Sequence, residues 1–312
     1  MTVTVLVPSS LVREARDKRE ATRKLGYVAR AATVFRVDRL VVYPDSEGER
    51  RWGGGFVRTV LAYAATPPYL RKEVWGRRDE LEYVGVLPPL HAVAQTGSGS
   101  NGSGSLRQGI VTEVGSDGRV RVNCGLQHPI SLLVPPSRTV EEGERVTIRI
   151  SSRQPLRARI VDDEPPGVNV EQAELDEVLA RSDSGFRIAS SRYGEVLTLS
   201  LLGDLRQRLV DTESTTESGD DTDTDTDTDA GAGGRKETGK RTYTVAFGAP
   251  ERGLPEICGI DPTAVGQRDT SDDTRPDRSR FDLWLNTVPN QGSETVRTEE
   301  AMFATLACLN LE

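Results

Sequence analysis

The amino-acid sequence predicts an α/β protein with a parallel sheet and helices on both faces, interrupted by a small inserted all-β barrel. Three observations lead to this fold class. A strand, a helix and a second strand follow one another at the N-terminus, and such a unit implies a parallel pair of strands. A run of short strands then follows a Gly/Ser-rich stretch, and helix and strand patterns alternate again towards the C-terminus.

The first part of the α/β body is predicted over residues 1–95. Its first strand is a buried Val/Thr/Leu run that Pro8 ends. Ser9 or Ser10 can cap the helix that follows, in which apolar residues recur at helical spacing. The predicted elements are strands over 3–7, 39–43 and 82–87, and helices over 11–33, 56–65 and 69–75.

A flexible linker is predicted over residues 96–105, because almost all of its residues are Gly, Ser or Asn. The turn at 116–118 between two β-rich runs is typical of a hairpin. Short strands are predicted over 109–114, 119–123, 129–134, 145–150 and 158–161. This density of short strands predicts a small barrel over 106–164, of the kind that OB folds represent.

The second part of the body is predicted over residues 165–312. Its apolar patterns predict strands over 186–190, 243–247 and 281–285 and helices over 171–180, 199–210 and 298–309. Thr298 is expected to cap the last helix. The Asp-Thr repeat and its flanks predict a disordered insertion over 211–241, and a polar Asp/Arg-rich run predicts a second over 267–280.

The net charge is unevenly distributed along the chain. The 312 residues include 40 Lys+Arg and 48 Asp+Glu, which gives −8. Residues 211–229 hold nine of the acidic residues and no basic one, so the rest of the chain carries 39 acidic and 40 basic residues, or +1. The bulk of the protein is therefore near neutral, which permits a basic face.

Several classes of protein are excluded by pattern. No apolar run approaches the length of a membrane span, and the N-terminus lacks the features of a signal peptide. The three cysteines are far apart in the sequence and form neither a disulfide framework nor a zinc-binding spacing. The two histidines have no partner ligands nearby, so no metal is expected, and the cysteine usage fits a reducing cytoplasm.

Two loops are the candidate functional segments. The Gly/Pro loop 247–254 follows a strand, and the polar loop 286–297 lies between the last strand and the last helix. Loops at the carboxyl ends of parallel strands commonly hold ligands, although either loop could be a plain connection. Neither carries a dinucleotide fingerprint or a phosphate-binding P-loop, and the chain has no nucleophile elbow.

The sequence from Leu285 to Ala301, LNTVPNQGSETVRTEEA, together with FGAPERGL at 247–254, resembles the C-terminal knot of SPOUT-class RNA methyltransferases. It is most similar to the SPOUT family that carries an inserted OB-like domain. The segments KLGYVARA at 24–31, TPPYLRK at 66–72 and YVGVLPPL at 83–90 agree with this resemblance. It covers most of the chain outside 96–105, 211–241 and 267–280, and residues 285–301 are its strongest signal.

This resemblance implies a deep trefoil knot, an exception to the rule that chains do not thread loops. It also implies a homodimer and the cofactor S-adenosylmethionine, held by backbone groups of the knot loops, with residues 190–194 as a third wall. A bulky residue at Gly292 is expected to block the cofactor's approach. The implied cofactor-binding residues are Ser191, Gly194, Phe247, Gly248, Ala249, Gly253, Leu285, Asn286, Thr287, Pro289, Gln291, Gly292 and Ser293.

Methyl transfer from a sulfonium depends mainly on positioning, so few catalytic side chains are required. Asn290, Arg297 and Glu299 are the candidates for orienting the acceptor or taking its proton, since they lie beside the cofactor loop in sequence. Ordinary structural roles are also open, with Arg297 in a surface ion pair and Glu299 as a charge at a helix N-terminus.

RNA capture requires cations that neutralise phosphates. The first helix is rich in basic residues, a second basic cluster lies beside Tyr69 and Trp75, and the barrel adds two arginines. A solvated charged helix face would give the same pattern. The candidate RNA-binding residues are Arg13, Arg16, Arg19, Arg23, Arg71, Lys72, Arg77, Arg119 and Arg121.

The sequence is therefore interpreted as a cytoplasmic S-adenosylmethionine-dependent methyltransferase that acts on a base or ribose of structured ribosomal or transfer RNA. The alternative is a non-catalytic RNA-binding protein of the same fold that acts in ribosome assembly. A phosphate-cradling loop, which a nucleotide-dependent enzyme of another kind would require, is not found in the sequence.

Overall fold

The computed structural model describes residues 2–90, 105–136, 138–153, 156–163, 167–211, 242–265 and 280–310. The chain forms two compact units, Met1–Pro8 with Ala173–Glu312 (the first unit) and Ser9–Gln172 (the second unit). Apart from residues 105, 211 and 280, the linker predicted at 96–105 and the insertions predicted at 211–241 and 267–280 lie outside the described residues.

The helices and strands follow one another in an order close to the predicted one. In chain order they are β1 (Thr2–Pro8), α1 (Lys18–Val34), β2 (Arg39–Tyr43), α2 (Gly54–Ala65), α3 (Arg71–Trp75), β3 (Ser105–Val114), β4 (Arg119–Asn123), β5 (Ile130–Leu133), β6 (Arg145–Arg153), β7 (Leu156–Val161), β8 (Asn169–Gln172), α4 (Leu175–Leu179), β9 (Phe186–Val196), α5 (Leu199–Asp211), β10 (Thr242–Ala246), α6 (Leu254–Ile257), β11 (Leu283–Asn286) and α7 (Thr298–Leu309).

In the first unit four strands lie in the order β11-β9-β10-β1. The three pairs are parallel, with Val3 opposite Tyr243 and Val245 opposite Ile188. These side chains are at most 2% exposed. Continuous burial on both faces explains why the strands read as unbroken apolar runs in the sequence.

Strand β9 leaves the sheet part-way along its length. Ala189 of β9 lies opposite Trp284 of β11. The next paired residue of β9 is Glu195, which lies opposite Leu285. Residues 190–194 therefore form an excursion from the sheet. A Cβ at Gly194 would lie 2.6 Å from the backbone of β11, so the return of the chain requires glycine at this position.

Helix α1 begins at Lys18, seven residues later than the predicted start. The Asp17 carboxylate caps it by accepting a hydrogen bond from the Glu20 amide at 2.7 Å. Leu11 and Val12 are fully buried but lie in hydrogen-bonded turns that precede the helix. The apolar spacing before Lys18, which predicted a longer helix, therefore reflects side chains that are buried in turns and not in a helix.

Two further predictions were wrong in part. Residues 82–87, predicted as a strand, include the 3-10 turn Val84–Val86, because local bonds from Val86 to Tyr83 and from Leu87 to Val84 take the place of a ladder. The helix predicted over 171–180 is shorter than expected. The first two residues of the predicted helix belong to strand β8, which pairs in parallel with β2. Helix α4 has five residues.

The antiparallel strands of the second unit confirm the predicted all-β module. They lie in the order β5-β4-β3-β6-β7, and the two end strands approach each other, so the sheet is nearly closed. Alternate residues of β4, such as Val120 and Val122, point into a core that includes Ile148. The domain limits predicted from the sequence stay predictions.

None of the helices in the described ranges combines the length and the apolar character that crossing a membrane requires. Within the same ranges, no three His, Cys, Asp or Glu side chains are grouped so that they could hold a metal ion.

The helix α1 that was predicted to present basic residues keeps one of them inside. The Lys24 side chain is 5% exposed, and its ammonium pairs with Glu14 at 2.5 Å and Glu20 at 3.4 Å. We expect Glu14→Gln to lower the free energy of unfolding by about 2 kcal/mol, since it leaves a buried cation with one weaker partner. Urea denaturation measures this loss.

The matched control is Glu82→Gln, which breaks the ion pair of Glu82 with Lys18, whose side chains are 57% and 24% exposed. Its expected effect is within about 0.5 kcal/mol. Equal effects of the two substitutions would contradict a stabilising role for the buried pair.

Candidate functional site

A cavity of about 230 Å³ lies where strands β9, β10 and β11 of the first unit give way to loops. We call it the first cavity. Residues 190–193, 247–249, 251–256 and 285–288 line it, together with Pro262 and parts of 291–301. In parallel sheets the carboxyl ends of strands open onto ligand sites, and the cavity occupies this position.

The loop after β10 forms one wall and has little room for side chains. Ala249 and Arg252 exchange backbone hydrogen bonds of 2.9 and 3.2 Å, which close a tight turn with Glu251 at φ +61°. A Cβ at Gly248 would lie 2.4 Å from the amide nitrogen of Leu254. Glycine at 248 is therefore needed for the loop to pack against the start of α6.

Asn286, at the end of β11, connects the second wall of the cavity, which is the loop after β11, to the excursion at residues 190–194. Its side-chain amide donates to the carbonyl of Arg192 at 2.8 Å, and its side-chain oxygen accepts from the Val288 amide at 3.0 Å. Its backbone carbonyl accepts from the Leu197 amide at 2.9 Å. One residue that is 9% exposed thus fixes both sides of the cavity.

The start of α7 lines the cavity and is hydrogen-bonded to the loop after β10. The Thr298 hydroxyl donates to the carbonyl of Gly248 at 2.8 Å. Arg297 is the residue before the helix, and its amide donates to the Glu300 carboxylate at 2.9 Å in a capping box. The sequence-based assignment of Thr298 as the cap was therefore wrong, and Thr298 binds a neighbouring loop instead.

Two exposed side chains of the excursion stand at the cavity. The Arg192 guanidinium lies 4.8 Å above the centre of the Tyr193 ring, and it also donates to the Tyr193 hydroxyl at 2.7 Å. This pair places a cation over one face of an aromatic ring, and a cation and a ring are the groups that suit a phosphate and a base.

The charge of the lining restricts the ligand. Arg192 and Arg252 contribute two positive charges, and Glu251, Glu256 and Glu294 contribute three negative ones. Such a lining gives no net attraction for a phosphorylated cofactor, but it tolerates a cationic one. The thiol of Cys258 lies outside the lining, and burial raises its pKa, which keeps it protonated near neutrality.

Most of the implied cofactor-binding residues meet at this cavity. Nine of the thirteen line it: Ser191, Phe247, Gly248, Ala249, Gly253, Leu285, Asn286, Thr287 and Gln291. Gly194, Pro289, Gly292 and Ser293 do not. Gly194 serves the close approach of two strands, whereas a Cβ on Gly292 would meet no atom within 4 Å. The geometry therefore gives no reason for a side chain at 292 to fill the cavity.

The three catalytic candidates are not brought to the cavity wall. Arg297 and Asn290 are exposed, and Glu299 is buried in the first turn of α7. Their roles stay predictions. Sequence reasoning did not identify Thr298 and Glu294 as lining residues. Thr298 lies between two catalytic candidates in the sequence and Glu294 follows a cofactor candidate, and neither residue belongs to a motif of its own.

The whole-chain comparison decides the family. A family model described as "Putative RNA methyltransferase" matches residues 2–309. The chain belongs to this RNA methyltransferase family. It is 63% identical over 311 residues to an uncharacterized protein of Haloarcula marismortui, and the match covers 100% of this chain and 99% of that protein.

A functionally named relative is more distant. Over 334 residues the methyltransferase is 26% identical to the 28S rRNA (uridine-N(3))-methyltransferase of Homo sapiens. This match covers 99% of the chain and 77% of the human protein. The match extends along the whole chain and so includes the loops that line the first cavity.

The candidate RNA-binding residues of the methyltransferase differ in exposure. Arg16, Arg19, Arg23, Lys72, Arg77, Arg119 and Arg121 are exposed. Arg13 is half-buried, and Arg71 donates to the carbonyls of Ala64 and Thr66 at 3.0 Å while it stacks on Tyr63. Arg71 is thus held by contacts within its own unit, whereas the exposed cations remain predictions for RNA contacts.

The glycine geometry around the first cavity gives a test of local packing. We expect Gly248→Ala to lower the free energy of unfolding by about 1–3 kcal/mol, because its Cβ would press on backbone atoms. Gly292→Ala, where the added Cβ meets open space, should change it by less than about 0.5 kcal/mol. Urea denaturation curves that coincide for the two variants would refute this assignment.

Proposed function

We propose that the protein transfers a methyl group from S-adenosylmethionine, bound in the first cavity, to a base of ribosomal RNA in the cytoplasm. The observation that carries the proposal is a loop-walled cavity with a net negative lining, at the carboxyl ends of parallel strands, in a chain of an RNA methyltransferase family. Because the human relative is named for uridine N3 of 28S rRNA, we propose the same acceptor class here.

The residues present fit this cofactor. The loop after β10 and the loop after β11 line the cavity, which suits an adenine ring held between loops, and the three lining carboxylates suit a sulfonium charge. S-adenosylmethionine supplies an electrophilic methyl group when it is bound. The protein then has to hold the acceptor in line and exclude other nucleophiles, and positioning alone supplies much of such a rate enhancement.

We assign the positioning of the acceptor to Arg192 and Tyr193. Their side chains are exposed at the first cavity, so an incoming nucleotide can place its phosphate on the guanidinium and its base against the ring. The Asn286 bond to the Arg192 carbonyl holds the excursion, so little ordering is required on binding.

A uracil N3 carries a proton that must leave as the new C–N bond forms. Among the lining carboxylates, Glu256 is paired with Arg252 at 2.9 Å and Glu251 is held in the tight turn. Glu294 is exposed and has no ion pair within the described ranges. We therefore assign the acceptance of this proton to Glu294.

We also propose the trefoil knot and the homodimer. Support for the knot comes from the bond between Thr298 and the Gly248 carbonyl and from the contact between the hydroxyls of Thr287 and Thr305 at 2.9 Å, which tie residues 286–298 to the loop after β10 and to α7. Support for the dimer comes from α7, whose surface includes the partly exposed residues Phe303 and Ala304 and the exposed residue Ala307. Small apolar residues on a helix face favour close helix pairing.

Calorimetry tests the cofactor. Titration of the full chain with S-adenosylmethionine and S-adenosylhomocysteine should show one site per chain, and transfer of radiolabelled methyl to ribosomal RNA from a strain that lacks the gene should depend on it. Binding of neither compound to folded protein would remove the proposal. Binding without methyl transfer to any RNA would favour the non-catalytic alternative.

Kinetics test the acceptor platform. Arg192→Ala should raise the KM for RNA about tenfold, because one charge-assisted phosphate contact is lost, while the affinity for S-adenosylmethionine changes less than about twofold. The control is Arg206→Ala on α5, which removes an arginine outside the lining. Glu294→Gln should lower kcat and leave the KM for RNA unchanged. An equal loss in Arg206→Ala would point to a general effect of charge.

A further inference from the structure

A second cavity, of about 490 Å³, lies within the second unit. Its wall combines the end of α2 with parts of β3, β6, β7 and β8, and none of its lining residues belongs to the unit that holds the first cavity. The volume falls within the range of about 300–1,000 Å³ in which small ligands are usually bound.

The barrel is hydrogen-bonded to the segment that follows α2, and the end of α2 lines the cavity. The Tyr69 hydroxyl donates to the backbone carbonyl of Gln108 on β3 at 2.8 Å. The side-chain amide of Asn123 on β4 contacts both carboxylate oxygens of Glu73 on α3, at 3.0 and 2.9 Å. These bonds hold the walls without a ligand, so the cavity is pre-formed.

Arg145 is the cation in this cavity that lacks a carboxylate partner. Its guanidinium donates to the Thr66 hydroxyl at 3.3 Å and makes no ion pair within the described residues. Arg145 is exposed, and partial desolvation at the cavity lowers the pKa of its guanidinium. A guanidinium that loses water without gaining a carboxylate is suited to an incoming anion.

The other lining charges are already compensated. The Asp162 carboxylate pairs with Arg138 at 3.3 Å, and Asp163 pairs with Arg149 at 2.5 Å. Arg138 is also held by Glu144 at 2.8 Å. The charges around the cavity therefore balance, which disfavours a ligand with several negative charges but suits a single phosphodiester on Arg145.

The remaining lining suits a planar heterocycle. Small apolar side chains such as Ala65 and Val170 form its faces, and the amide side chains of Gln108 and Asn169 and the hydroxyl of Thr147 are its polar groups. Amide side chains match the donor and acceptor edges of bases. Bases of single-stranded RNA are free to leave the stack and enter such a cavity.

We propose that the second cavity binds one unpaired nucleotide of the RNA substrate, away from the methyl acceptor, with its phosphodiester on Arg145 and its base between the apolar walls. This inference rests on the proposed RNA substrate. The site acts as a second contact to the RNA and selects substrates that have an unpaired nucleotide in addition to the methylation target.

Fluorescence anisotropy with a labelled ten-nucleotide single-stranded oligouridylate tests the site on the full chain. Arg145→Gln should raise the Kd about tenfold and should lower the slope of log K against log salt by about 0.7, the value for one lost phosphate contact on a single strand. Its affinity for an RNA duplex of the same length should stay as in the unsubstituted protein, because a duplex has no unpaired nucleotide.

The control is Arg159→Gln on β7, which makes the same chemical change at an exposed position outside the lining. Ala65→Phe tests the cavity itself, since the ring occupies its space, and it should weaken oligouridylate binding as Arg145→Gln does. Circular dichroism and binding of S-adenosylmethionine show that each variant is folded.

Three results would overturn the site: no binding of oligouridylate to the unsubstituted protein, equal losses in Arg145→Gln and Arg159→Gln, or binding of uridine 5′-monophosphate in place of RNA. Methyl transfer measured in parallel separates the two proposals. Transfer that persists while Arg145→Gln leaves RNA affinity unchanged refutes the second cavity alone. Weakened RNA binding by Arg145→Gln in a protein that transfers no methyl refutes the proposed function alone.

Discussion

The first cavity depends on the bonds made by Asn286. Strand β9 leaves the sheet at residue 190 and returns at 194, and an excursion of this kind needs a fixed partner to hold one conformation. Asn286 provides it through bonds to the Arg192 carbonyl, the Val288 amide and the Leu197 amide. Asn286 is 9% exposed and its side chain is bonded to both neighbouring segments, so the groups that it holds are pre-organised.

Backbone packing and charge placement explain how a protein with a net charge of −8 can act on RNA. Nine of its acidic residues lie in 211–229, and the rest of the chain is near neutral. Under the two proposals, the affinity for RNA depends on where individual arginines lack a carboxylate partner, as at Arg145, and on whether they lie on an aromatic ring, as at Arg192. Local geometry, more than net charge, directs the nucleic acid.

The two cavities suit different tasks. The first is small, walled by loops and net negative, which fits a cofactor held through its backbone contacts and a reaction that requires alignment. The second is larger, balanced in charge and built between a barrel and helices that hydrogen bonds hold together. The inserted barrel thus contributes one wall of a pre-formed site.

The sequence by itself determined the elements whose patterns are local: the hairpin of β3 and β4, strand β10, helix α7, and the loops 247–254 and 286–297 that line the first cavity. These follow from side-chain periodicity and from turn residues, which neighbouring positions encode.

Tertiary structure decided the rest. Leu11 is buried without a helix, and Lys24, read as part of a basic face, is held inside by two carboxylates. Glycine at 194 and 248 is required where backbones meet, whereas 292 has open space, and the contact of Asn286 with residue 192 spans 94 positions. Such contacts form between segments that are distant in the sequence and packed together in the fold. No local sequence pattern therefore predicts them.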